Sequence, residues 1–233
     1  MNRIVFRHKF ALAAAVLLLP VVLMSTGCET QSMIREKGEV AYYGGNYAQA
    51  RAEYARAVDN QPSDYRAHYH LGLSYLELDQ PGRAQRSFEQ ALTLRGRDPE
   101  WRPRILDGLA EALYRQDRLE RLQAMLEDAV REGNTTHDRL RQADYLMKIG
   151  DPDGARNAYR TAAYFAEGRD PRPYVAVADF YEQINDEMNA VRALRWAYYV
   201  DHGNPEIAER LRGYGIVPGP TVAEAPPKPE MLR

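Results

Sequence analysis

A chain of 233 residues with 45% hydrophobic and 27% charged side chains has the composition of a folded globular protein, which excludes wholesale disorder. Thirty-one Lys and Arg stand against 33 Asp and Glu, a formal net charge of −2, so no sequence-wide basic field exists to draw in a polyanion and nucleic acid is not an expected partner. Only Lys9, Lys37, Lys148 and Lys228 are lysines. The positive charge is thus almost all guanidinium, which pairs with carboxylates through a bidentate fork, although a bias toward Arg codons accounts for the same count.

The N-terminus comes first. Met1 to Lys9 carries Arg3, Arg7 and Lys9 and no acid, and Phe10 to Met24 is unbroken apolar sequence. That run is shorter than the roughly 20 residues of a membrane span and fits the core of an export signal. Ser25-Thr26-Gly27-Cys28 follows, small residues leading into the sole cysteine. A single cysteine forms no internal disulfide, so its place directly after an export signal points to another chemical role. The segment resembles a bacterial lipoprotein signal, in which a small residue precedes a cysteine that receives diacylglycerol and becomes the mature N-terminus. Gly27 and Cys28 match that pattern, while Ser25 stands where the family usually has Leu. The resemblance implies a signal peptide over 1–27, cleavage between Gly27 and Cys28, lipid on Cys28 and a short linker over 28–30. Glu29 stands where Asp would be the inner-membrane retention signal, so the resemblance also implies an outer-membrane destination facing the periplasm. Two other readings stay open: an uncleaved membrane anchor, and ordinary cleavage near Gly27 that leaves a free thiol. Acyl chains on Cys28, at about 0.8 kcal/mol per buried CH₂, would anchor the chain without any membrane span.

From Gln31 onward the chain is periodic. Gly38, Ala50, Tyr54, Ala57 and Pro62 are followed 34 residues later by Gly72, Ala84, Phe88, Ala91 and Gly96. The same small, large, small spacing returns as Ala110, Leu122, Leu126, Ala129, then Ala143, Ala155, Tyr159, Ala162, then Ala178, Ala190, Leu194, Ala197. Five units result, over about 31–64, 65–98, 103–136, 136–169 and 171–204. Within each unit apolar residues fall three, four and seven apart, so each half is an amphipathic helix. Gly44-Gly45-Asn46, Asp79-Gln80-Pro81-Gly82 and Gly150-Asp151-Pro152-Asp153-Gly154 break the halves with turn residues, while Gln116-Asp117-Arg118 and Asn185-Asp186-Glu187 are weaker breakers. Arg97 to Arg102, with Pro99 and Trp101, is an insertion between units two and three. Pro205 to Tyr214 reads as a capping helix, and 215–233, carrying Pro218, Pro220, Pro226, Pro227 and Pro229, as an extended disordered tail.

Unit two, with His68, Leu71-Gly72, Tyr75, Ala84, Phe88 and Ala91, resembles a tetratricopeptide repeat, the 34-residue helix-turn-helix with the pattern W-x₂-L-G-x₂-Y…A-x₃-F…P. Unit one adds Pro62 but has Lys37 and Ala41 at the Leu and Tyr positions, as a capping repeat does. The resemblance covers about three quarters of the chain and implies an all-α fold: an α-solenoid of about five stacked hairpins whose shared core gives nearest-neighbour stability. Small residues at the eighth, twentieth and twenty-seventh positions let helices approach, and a bulky side chain at the twenty-fourth fills the space between.

No catalytic motif, phosphate loop, paired cysteines or metal-ligand spacing appears, so no enzyme activity, cofactor or metal is expected. His68 and His70 are two apart and lie on different sides of a helix, so they cannot chelate as an i, i+4 pair would. His68 holds the position of the repeat's Trp and reads as packing; His137 and His202 are isolated in sequence. Sixteen tyrosines against five phenylalanines favour contact surfaces with polar tips. By the family's offsets, Arg35, Glu39, Tyr42, Arg66, Tyr69, Asp107, Glu111 and Tyr114 face the inner groove, a mixture suited to an extended peptide or a partner helix. Glu39 stands where the carboxylate-clamp subclass has Asn, which disfavours that subclass. The resemblance therefore implies a lipid-anchored, periplasm-facing scaffold for a protein or peptide partner in envelope machinery, such as pilus or secretion-system assembly. The alternative is an accessory module that binds peptidoglycan or regulates cell-wall enzymes, its tyrosines stacking on sugars. The oligomeric state is open at this level.

Overall fold

The computed structural model describes residues 30–227. The signal-peptide reading, the Gly27–Cys28 cleavage and lipidation site, Glu29 and the last six residues lie outside that range. The described residues form eleven α-helices: α1 (Gln31–Tyr43), α2 (Tyr47–Asn60), α3 (Tyr65–Glu77), α4 (Pro81–Arg95), α5 (Trp101–Arg115), α6 (Leu119–Gly133), α7 (Thr136–Lys148), α8 (Pro152–Ala166), α9 (Arg172–Gln183), α10 (Glu187–Val200) and α11 (Pro205–Gly213). They pair as five antiparallel hairpins, α1/α2 to α9/α10, and each second helix also packs on the first helix of the next hairpin. The fold is the stacked α-solenoid that the period implies.

Burial follows the period residue by residue. Ala50, Ala84, Leu122, Ala155 and Ala190 are all fully buried, as are Ala57, Ala91, Ala162 and Ala197. The large side chains Tyr54, Phe88, Leu126, Tyr159 and Leu194 fill the layer between them. Gly38 and Gly72 have a specific reason: a Cβ on either would lie 2.8 or 2.7 Å from the ring of Tyr54 or Phe88, so only glycine lets the two helices close onto that ring. His68 is buried, and its Nε2 meets the Pro62 carbonyl at 2.9 Å.

The weaker breakers work as well as the glycines. Gly45, Asp79, Asp117, Gly150 and Asn185 all adopt positive φ, one in each hairpin turn. The residue after each donates its amide to the carbonyl five residues back, at 2.8–3.0 Å (Asn46 to Ala41, Gln80 to Tyr75, Arg118 to Leu113, Asp151 to Leu146, Asp186 to Tyr181). Asp and Asn tolerate the left-handed region better than other residues with a Cβ, which is why one turn geometry accepts three residue types. The third hairpin is the exception in packing, because α5 and α6 lie less closely together than the helices of the other four.

One expectation is corrected. The segment after α11 is not free chain up to Glu224: Ile216, Val222 and Ala223 pack on the last core cluster. The Arg195 Nε donates to the Val222 carbonyl at 2.8 Å, and its guanidinium pairs with Glu224 at 3.5 Å. Apolar residues between the prolines have an uncovered edge of α10 and α11 to bury, and burial outweighs the disorder that proline content predicts. No described helix is long and apolar enough to cross a membrane.

Candidate functional site

The first helices of the hairpins, α1, α3, α5, α7 and α9, stand side by side, and residues about one period apart meet across neighbouring helices. The Tyr42 hydroxyl donates to Glu77 at 3.5 Å. The Arg141 Nε donates to Asp107 at 2.6 Å, and the Tyr145 hydroxyl to Glu111 at 3.0 Å, both over a separation of 34 residues. The Tyr214 hydroxyl donates to Glu182 at 2.9 Å, and Arg210 pairs with Asp179 and Glu182. A lateral ladder of polar contacts thus runs along this side of the array.

The sequence-derived groove residues fall on this ladder in different states. Arg35 pairs with Asp64 at 3.5 Å, the carboxylate that also caps α3, so it braces two helices. Glu39 is exposed. Tyr42 is half-buried between the rings of Tyr43 and Tyr47, and burial, aided by Glu77, pushes its phenol up to about 12. Arg66 is exposed, its guanidinium 5.4 Å from the Trp101 ring, and Tyr69 meets Trp101 edge-on at 5.6 Å. Trp101, supplied by the insertion as the first residue of α5, thereby packs the start of that helix on α3. Beside it His70 stacks on Tyr54 at 5.2 Å, and burial, with Arg35 nearby, lowers its pKa to about 4.

Asp107, Glu111 and Tyr114 lie deeper in the array and border a larger feature. A depression of about 720 Å³ opens across α5, α7 and α9, with Asp107, His137, Arg141, Asp144, Tyr145, Lys148, Tyr159 and Arg172 among its walls. His137, isolated in sequence, is here 3.1 Å from Asp107. Burial tends to raise the Asp107 and Glu111 carboxyls, but His137 and Arg141 on the first, and Arg115, Tyr145 and Lys148 on the second, outweigh it and hold both below the usual carboxylate range. Lys148 sits 4.3 Å from the Tyr145 ring centre and 5.3 Å from that of Tyr114. Asp144 differs. It accepts from the neutral Tyr159 hydroxyl at 2.6 Å, and burial with Asp179 and Asp107 in range raises its pKa.

Sequence reasoning missed the α7 and α9 walls of this depression. The signal was present, because Arg141 lies one period beyond Asp107, and Tyr145 and Lys148 lie one period or slightly more beyond Glu111. Applying the offsets to every unit places them. Among the described residues no group of three or more His, Cys, Asp or Glu could hold a metal ion.

Helical hairpins repeating every 34 residues, with small residues at each approach and one turn geometry throughout, decide the comparison. Residues 35–99 match the tetratricopeptide-repeat family. No curated protein sequence matches the chain significantly. Among solved structures, a thermophilic TPR protein of Thermus thermophilus superposes with a TM-score of 0.54 at 23% identity, covering 79% of this chain and 98% of the other. A tetratricopeptide repeat protein from Parabacteroides merdae gives 0.57 at 16% identity, over 81% and 72%. The pilF protein of Pseudomonas aeruginosa gives 0.54 at 18% identity, over 79% and 84%. At these identities the likeness establishes the tetratricopeptide-type fold.

Proposed function

We propose that the chain is a lipid-anchored scaffold of the bacterial envelope whose inner groove holds an extended segment of a protein partner. The depression across α5, α7 and α9 carries this reading. Its walls present both charge signs and two tyrosines, and its carboxylates are already oriented, Asp107 by Arg141 one period away and Asp144 by the Tyr159 hydroxyl. Such a surface offers fixed hydrogen-bond partners to a peptide and aromatic faces to its side chains, with little ordering left to do on binding. Anchoring follows from Gly27-Cys28 behind an export signal. A lipid on Cys28 would confine the groove to a membrane surface and raise its effective concentration for partners there.

The test is crosslinked capture of the tagged full-length protein from envelopes, followed by mass spectrometry. The double substitution Asp144→Lys with Arg172→Glu inverts two charges in the depression, and Arg86→Glu on α4 serves as a control. We expect a defined set of envelope-assembly proteins with the wild type and the control, and its loss with the groove variant and with Cys28→Ala. Capture that the groove variant leaves unchanged rules out the groove as the binding site, and capture of cell-wall enzymes alone moves the role to peptidoglycan.

A further inference from the structure

The large apolar side chains left exposed in this array are not evenly spread. Met33, Val40 and Tyr43, at 48, 71 and 82% exposure, share one helix, α1. At 100° per residue they fall within an arc of about 80°, on the side turned away from the buried Ile34, Gly38 and Ala41. Helix α1 is the first described helix, and among the described residues no earlier hairpin covers that side. At its C-terminal end Tyr43 meets Tyr42 edge-on at 5.7 Å, which meets Tyr47 at 5.3 Å. The stripe therefore runs the length of the helix, broken once by the exposed Glu36 within the same arc, and ends in an aromatic group of the kind enriched where membrane meets water.

Chain length says what covers it. Thr30 is the N-cap of α1, so only Glu29 separates that cap from Cys28. Two residues reach at most about 7 Å, so an acylated Cys28 holds the first turn of α1 at the lipid headgroups. From there the helix, about 20 Å long at 1.5 Å per residue, either stands upright, leaving Val40 and Tyr43 in water, or lies flat and buries them. Resting on the acylation of Cys28, we infer that α1 lies along the membrane surface with Met33, Val40 and Tyr43 against the lipid. The remaining hairpins then stack away from the bilayer. At helix spacings of 8–10 Å, the depression on α5, α7 and α9 stands roughly 20 Å or more above the surface and opens sideways, accessible to a partner anchored in the same membrane.

The test uses the full-length protein, made with its own export signal and reconstituted in vesicles of phosphatidylethanolamine and phosphatidylglycerol. Acylation consumes the Cys28 thiol, so Met33→Cys, Tyr43→Cys and Val217→Cys each supply one site for a fluorophore, read by quenching from lipids spin-labelled near the headgroup. We expect labels at 33 and 43 to be quenched alike and several-fold more than the label at 217, which lies beyond the far end of the array. Quenching at 33 with no more at 43 than at 217 overturns the flat orientation and leaves the anchor intact. The mass of the N-terminal peptide from the same samples separates the two claims: an unmodified Cys28 overturns the anchor, and this inference with it.

Discussion

Asp138 is the most consequential single carboxylate in the array. It is 1% exposed and accepts from the Thr135 hydroxyl at 2.7 Å, from Arg141 at 2.8 Å and from Arg102 at 3.1 Å, joining α5 to α7 while boxing the start of α7. Arg141 is equally buried and also reaches the Pro103 carbonyl. Removing the carboxylate leaves the buried Arg141 with Asp107 and the Pro103 carbonyl but one donor unsatisfied, and breaks the tie to Arg102, so Asp138→Ala is expected to cost about 1–3 kcal/mol, measured by urea denaturation at neutral pH. A loss no larger than that of an exposed pair such as Arg212–Glu209 would refute the role. Burial raises the Asp138 carboxyl, but Thr135, Arg141 and Arg102 outweigh it and the pKa is lowered. Its contribution is therefore complete above the ordinary carboxylate value near pH 4 and is lost as pH falls below it. An Asp138→Asn variant is accordingly expected to lose less melting temperature than the wild type between about pH 5 and pH 3.

Among the helices of the second to fifth hairpins, α6 buries the fewest residues. Of its 15 residues only Leu122, Leu126 and Ala129 are buried, whereas α5 buries eight of the same number. Leu122 takes the place that Ala holds in the other four hairpins, and its bulk keeps α6 from closing on α5. A cleft of about 540 Å³ remains between α4, α5 and α6, floored by Leu92, Leu106, Leu109, Leu113 and Met125. Local opening is easiest where few apolar contacts must break. Hydrogen exchange followed by mass spectrometry is expected to show α6 amides exchanging faster than those of α5, and equal protection would contradict this packing. The hairpin turns carry the opposite lesson. Asp117 and Asn185 are poor breakers by residue type, yet they take the φ of the glycines in equivalent turns, because the packed helices on either side fix where the chain must reverse.

For the whole molecule the ends of the stack decide stability. A solenoid has no closed core, so its last hairpin needs a cover with a polar outer face. Helix α11 provides it with Ile207 and Leu211, 2% and 0% exposed, and the segment through Ala223 extends the cover over α10. Ending the chain at Asn204 should remove roughly 3–6 kcal/mol through those two side chains alone and expose an apolar end. A lower melting temperature and faster-sedimenting species are expected, with an end at Gly215 giving an intermediate effect. An unchanged melting temperature for the 1–204 chain would show that the cap is dispensable.

The sequence by itself determined the period, the helical class, the small and large core positions and the capping helix, because each depends on spacing within about 34 residues of one chain segment. The export-signal reading that ends at Cys28 is likewise drawn from local chemistry alone, and it falls outside the described residues. Only the tertiary structure decided which polar side chains meet. His137 and Asp107, Glu111 and Lys148, and Tyr159 and Asp144 lie on different helices, and their distances depend on how one hairpin turns against the next. The fate of the proline-rich segment belongs there too. Whether Ile216 and Val222 stay in water or fold back depends on the apolar edge that α10 and α11 leave open, and no local pattern in the tail records that edge.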